Sequence, residues 1–134
     1  MTQEQKDLLL KDLCARLPYG VIVNVKGFDY DYNSKLTQIY NGVGCSIQVT
    51  TNIPYDIEQV KPYLFPLSSM TERQCYELSS IRSSFQDCWK YIKTPIPLSI
   101  CNFEQIEWFH KNHFDYRGLI PMGMAIDATG KNIY

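Results

Sequence analysis

An α+β fold is predicted for this chain: an N-terminal helix, a small antiparallel barrel-like sheet, and a long helix plus a shorter C-terminal helix packed on it. Three observations predict it. Leu9, Leu13 and Leu17 recur at i, i+4, i+8; a period of two then runs through Val21–Lys26 and Val43–Thr51; and a three-to-four-residue apolar period takes over from Cys75 to Ile92. The 134 residues contain no linker, internal repeat or low-complexity run, so they read as one domain able to bury a single core. Within it, 2–17 is the helix, 20–67 the β-rich part, and 68–134 the helical part with a short C-terminal strand.

The first helix starts at a capping box, Thr2-x-x-Gln5, and Pro18 stops it. Val21, Val23 and Val25 share one face of a strand, opposite Ile22, Asn24 and Lys26. Phe28 to Ser34 reads as a polar-aromatic connector. Lys35 to Tyr40 is the second strand, and Asn41-Gly42 predicts a type I′ hairpin into a third, with Cys45, Ile47 and Val49 on one face. Asp56 to Val60 is a single tight helical turn, and Lys61 to Leu67 an edge strand, because Pro62 and Pro66 each remove a ladder donor. This order resembles a small Src-homology-3-type barrel. Ser69-x-x-Glu72 and Thr71-x-x-Gln74 offer two overlapping cap registers for a helix from about Glu72 to Lys93, striped by Cys75, Leu78, Ile81, Phe85, Cys88, Trp89 and Ile92. Thr94-Pro95-Ile96-Pro97 ends it. Asn102-x-x-Gln105 caps the shorter helix, which places Ile106, Phe109 and His113 toward the core, and a last short strand is expected at Met124 to Asp127.

Composition narrows the function. The chain is 45% apolar and 20% charged, with a formal charge of −1, so bulk electrostatic attraction to nucleic acid is not expected. Ten tyrosines raise the expectation of a binding surface, since such amphipathic rings serve interfaces as well as cores. Five widely spaced cysteines without a CxxC pair read as reduced thiols and a cytoplasmic setting. The opening MTQEQKDLLLKDL carries acids and a three-residue apolar run, so no signal peptide is expected, and no window approaches the roughly 18 apolar residues of a membrane span.

Three blocks stand out: LPYGV at Leu17 to Val21, VKPYLFPLSSMTE at Val60 to Glu72, and NHFDYRGLIPMGMAID at Asn112 to Asp127. In this order they resemble a family of small uncharacterised proteins from phages and other mobile elements of gut Bacteroidetes. The resemblance implies a setting and carries over no catalytic residue. Phe65 stands where that family usually has Arg, and Asn112 where it usually has His.

Candidate residues follow from the chemistry. Tyr30, Tyr32 and Tyr55, with Phe65, would supply contact area for a partner, and Lys35 and Lys61 would steer it. By alternation from Pro62, Phe65 is expected at the surface and Leu64 in the core. His110 and His113, three apart, are too few for a metal site by themselves, and His110 falls where the resembling family usually has Asn. Cys75 and Cys88 fall on the apolar stripe, where a thiol acts as a small hydrophobe. The expected function is thus a non-enzymatic binding protein of a phage or mobile element, docking on a partner protein such as a host factor or defence component. It needs no cofactor and no membrane. The alternative is a nucleotide or nucleic-acid binder using the tyrosines and lysines of the β-rich half. A metal-dependent hydrolase using His110 and His113 is a second alternative.

Overall fold

The computed structural model describes residues 1–42, 44–50, 53–81 and 103–134. Helix α1 (Gln3–Arg16) begins at the predicted capping box: the Gln5 N–H donates to Thr2 Oγ1 and the Thr2 N–H to Gln5 Oε1. It buries Leu9, Leu13, Asp12 and Arg16. The inward position on the last turn is therefore Arg16, not Leu17, which is only half-buried. The LPYG block makes a tight turn, Leu17–Tyr19, closed by Gly20 in the left-handed region (φ +71°).

Strand β1 (Ile22–Lys26) buries Val23 and Val25, as its alternation predicts. Strand β2 (Asp31–Gly42) is longer than expected, since residues 31–34 continue the ladder on β1 rather than forming a connector. It turns into β3 (Gly44–Val49) with Asn41 opposite Cys45 and Gly42 opposite Gly44. The hairpin is as predicted, but Asn41 and Gly42 pair within it, and its tip at residue 43 lies outside the described residues. Strand β4 (Pro54–Asp56) follows, then the expected tight turn, Ile57–Gln59, capped by Asp56.

The largest departure from the sequence reading is β5 (Val60–Pro66). It is not an edge strand. It pairs antiparallel with β1 and parallel with β6 (Phe114–Asp115) and β7 (Ile126–Asp127). The Phe65 N–H donates to the His113 carbonyl while the Leu64 carbonyl accepts from the Ala128 N–H. These are the two ends of one peptide group and point opposite ways, so β6 and β7 flank β5 on opposite edges. Pro62 is accommodated opposite Val23, at a position of the β1 ladder that needs no donor. The ladder ends one pair later at Tyr134, whose hydroxyl accepts from the Ile22 N–H (3.0 Å) and donates to the Tyr63 carbonyl (2.8 Å). Burial of that hydroxyl pushes the Tyr134 phenol up to about 12.

The described strands order as β4-β3-β2-β1-β5-β6, with β7 on β5. This is an open mixed sheet, not the antiparallel barrel-like sheet expected. Helix α1 covers one face, where Leu9 and Leu13 meet Val21, Val23, Val25, Leu36, Ile47 and Leu64. A second apolar cluster joins Leu67, Met70 and Phe114 to helices α2 (Glu72–Ile81) and α3 (Phe103–Lys111) through Cys75, Leu78 and Phe109. The predicted continuation of α2 to Lys93, with Phe85, Cys88, Trp89 and Ile92, and the Asn102 cap lie outside the described residues.

Of the two cap registers before α2, the chain uses Thr71-x-x-Gln74. The Gln74 N–H donates to Thr71 Oγ1 (3.2 Å) and the Thr71 N–H to Gln74 Oε1 (2.9 Å). Ser69 instead donates to the Pro66 carbonyl. Thr71→Ala is expected to cost about 1 kcal/mol in urea unfolding, and Ser69→Ala less. Equal losses at the two positions would contradict this choice of register.

The block from Asn112 to Asp127 holds the sheet to the helices. Helix α3 ends at Lys111, and His113 adopts φ +62°, so it is a turn residue and not a core position on the helix. Asp115 accepts from the Leu119 and Ile120 N–H groups (2.9 and 2.8 Å), closing the turn that follows. Arg117 reaches Asp12 on α1 (3.1 Å), which also holds Arg16 (2.7 Å). Arg16 Nη2 donates in turn to the Phe114 carbonyl (2.7 Å), and both guanidinium groups lie over the Tyr116 ring.

Candidate functional site

Gly27 ends β1 and forces a sharp reversal, its N–H donating to the Val25 carbonyl (3.1 Å). A Cβ on Gly27 would stand 2.4 Å from the Tyr30 carbonyl oxygen, so no other residue fits without moving the loop. This reversal throws Phe28, Asp29 and Tyr30 outward beside the start of β2. The chain entering β4 approaches from the other side with Ile53, Pro54 and Tyr55. Between them lies a groove of about 440 Å³, floored by Tyr32 and Tyr55 and closed at one end by Gln59.

The walls are apolar and open to solvent. Phe28 is fully exposed, Tyr30 is 71% and Ile53 53% exposed. Large apolar side chains gathered this way on one rim are characteristic of an interaction site. The floor is rigid by contrast. Tyr55 is buried, and its hydroxyl shares a hydrogen bond with that of Tyr32. The three tyrosine rings form a row: Tyr30 to Tyr32 at 6.0 Å and 57°, Tyr32 to Tyr55 at 6.2 Å and 65°. Such tilted pairs are the favoured arrangement for aromatic rings. Gln59 is held by the Lys26 carbonyl and the Asp56 N–H. Asp29 is the one charged side chain among the described lining residues.

Three of the six sequence candidates therefore meet here: Tyr30, Tyr32 and Tyr55. The other three do not. Lys35 lies three residues beyond Tyr32 in β2, and an odd separation puts it on the opposite face. Its aliphatic chain runs beside Gly20 instead. Lys61 lines a separate hollow with Lys26, Asp31 and Glu58. Phe65 corrects the exposure expectation: it is half-buried, packed between Phe114 (6.1 Å) and Tyr134 (6.0 Å), because β6 pairs with β5 at this residue and brings Phe114 against its ring. The groove residues missed were Gly27, Phe28, Asp29, Ile53, Pro54 and Gln59. Phe28 carried a signal, a large apolar side chain directly after a strand-ending glycine.

The two histidines do not converge. His110 Nε2 meets the Tyr116 hydroxyl, and His113 stacks on the Tyr134 ring at 3.6 Å. Burial, then the Arg16 charge, pushes each down to about 4, so both are neutral at pH 7. Among the described residues no three His, Cys, Asp or Glu side chains stand close enough to hold a metal ion, and no helix is long and apolar enough to cross a membrane. Comparison with protein-family models, curated proteins and solved structures finds no match to this chain.

Proposed function

We propose that this chain is a non-enzymatic binding protein that docks on a partner protein through the aromatic groove between the Gly27 reversal and β4. The observation that carries the reading is the pairing of an exposed apolar rim, Phe28, Tyr30 and Ile53, with a floor fixed by the hydrogen-bonded pair Tyr32 and Tyr55. Exposed rings on a rigid base lose little conformational entropy on docking, which is how a few aromatic side chains come to dominate an interface. The three blocks that resemble phage and mobile-element proteins support that biological setting, with a host factor or a defence component as partner.

Nucleotide or nucleic-acid binding has less support. Its affinity would come mainly from cations on phosphate, and Lys35 and Lys61 lie away from the groove, while the groove carries Asp29.

Selection from a displayed library of random linear peptides tests the reading, with the Phe28→Ala/Tyr30→Ala double variant as counter-target. Both side chains are exposed, so the variant is expected to keep its fold. The chain should enrich peptides that bind the variant at least about tenfold more weakly. Enriched peptides that bind both forms equally, or no enrichment, would overturn groove docking.

A further inference from the structure

Independently of groove docking, we infer that the head of the β1–β5 ladder is a binding slot for a para-substituted phenol. Tyr134 fills it in the folded chain, and an external phenol takes it when that side chain is removed. The first ground is the hydrogen-bond pair at its base. The ladder runs through Val25 with Val60, Asn24 with Lys61 and Val23 with Pro62. The next pair would be Ile22 with Tyr63. There the Tyr134 hydroxyl stands between the strands, accepting from the Ile22 N–H (3.0 Å) and donating to the Tyr63 carbonyl (2.8 Å). One donor and one acceptor meeting at a single point select a hydroxyl, which has both functions. A carboxylate would set an acceptor against the carbonyl, and an ammonium a donor against the N–H. A methyl group would leave both backbone groups unpaired.

The second ground is shape. His113 stacks on the ring at 3.6 Å and 9°, with Phe65 beside it at 6.0 Å, so the space above the base takes a flat ring. The third ground is that the walls are fixed without their occupant. Ile22 is paired with Lys35 in β2 and Tyr63 with Ile126 in β7, while the Phe65 N–H donates to the His113 carbonyl (2.8 Å). The occupant is held lightly by comparison. The last backbone bond before it runs from the Lys131 N–H to the Ala128 carbonyl (3.2 Å). Asn132, Ile133 and Tyr134 make none among the described residues. Tyr134 is 46% exposed although its hydroxyl is buried, so the ring enters hydroxyl first and its rear stays open to solvent. The substituent that leaves through that opening is para to the hydroxyl.

The test titrates p-cresol, the tyrosine side chain as a free molecule, into the isotope-labelled Tyr134→Ala variant and into the intact chain. Toluene, which lacks the hydroxyl, is the comparison, and amide resonances report both. In the variant p-cresol should shift the Ile22, Phe65 and His113 amides and bind about tenfold more tightly than toluene. At the same residues it should bind the intact chain at least about tenfold more weakly, because Tyr134 competes from within the molecule. Equal binding of the two compounds, equal binding to the two chains, or no shift at these residues overturns the inference. Should the alanine variant fail to fold, Tyr134→Phe keeps the ring and removes the hydroxyl alone. Hydrogen exchange at the Ile22 amide should then quicken by about tenfold relative to the intact chain. Unchanged exchange there also overturns the inference, since the hydroxyl would not be what holds the pair.

Discussion

Asp12→Ala is expected to destabilise the chain by about 3–5 kcal/mol, because it leaves buried positive charge without its counter-ion. Asp12 and Arg16 are both fully buried, and the carboxylate holds Arg16 at 2.7 Å and Arg117 at 3.1 Å. Arg16 is already short of acceptors, since its Nη1 has none among the described residues. Without Asp12, the Phe114 carbonyl and the Tyr116 ring would be its remaining partners, and neither carries a negative charge. The pairing also ties α1 to the segment after β6, so its loss is felt in both apolar clusters. Replacing the pair together tells charge from packing. Asp12→Leu/Arg16→Met removes the two fully buried ions and fills similar volume, leaving only Arg117, at the margin of the cluster, without its carboxylate, and should lose less than Asp12→Ala alone. Urea unfolding of the two variants checks this. A loss below about 1 kcal/mol for Asp12→Ala would mean that water reaches the pair and screens it.

Much of this network was invisible in the sequence for a physical reason. The spacing of Leu9 and Leu13 marks the buried stripe of α1, but a helical pattern cannot distinguish Leu17 from a paired arginine one position earlier. Arg16 is tolerated inward because Asp12 lies one turn before it and the Phe114 carbonyl arrives from a segment about 100 residues away in sequence. The capping boxes at Thr2 and Thr71 were legible because each is complete within four residues. The place of β5 was not. Two prolines in seven residues argue for an edge, and the parallel partners that enclose it are two-residue bridges, too short to show a period. The blocks at Leu17 to Val21, Val60 to Glu72 and Asn112 to Asp127 have structural places: a left-handed turn at Gly20, the central strand and cap, and the segment that clasps α1. The groove lies outside all of them. Its tyrosines were legible as an aromatic cluster, but membership depended on strand parity, which separates Tyr32 from Lys35, and on a loop reversal imposed by Gly27.

Acidification from pH 7 to pH 5 is expected to remove about 4 kcal/mol of stability through His110 and His113 together. Each has its folded pKa lowered from 6.5 to about 4, with burial the main cause and the Arg16 charge opposing protonation in both. Around His110, Arg117 adds to that opposition while Asp12 and Glu107 act against it. The sign follows from where the protons go. Between about pH 6.5 and pH 4 the unfolded chain binds protons that the folded chain refuses, so the unfolded state gains about 1.4 kcal/mol per pH unit for each histidine. The stability contributed by the neutral rings is therefore complete above pH 6.5 and is lost progressively toward pH 4. Carboxylates contribute little to the slope above pH 5, because their unfolded pKa values lie near 4. The control is His110→Gln/His113→Asn. Glutamine can still meet the Tyr116 hydroxyl, and asparagine tolerates the left-handed backbone at φ +62°. This variant should be less stable at pH 7 but nearly flat between pH 7 and pH 5 in urea unfolding. If it retained the slope of the parent chain, other groups would be responsible, and the two imidazoles would have to be solvated enough to titrate alike in both states.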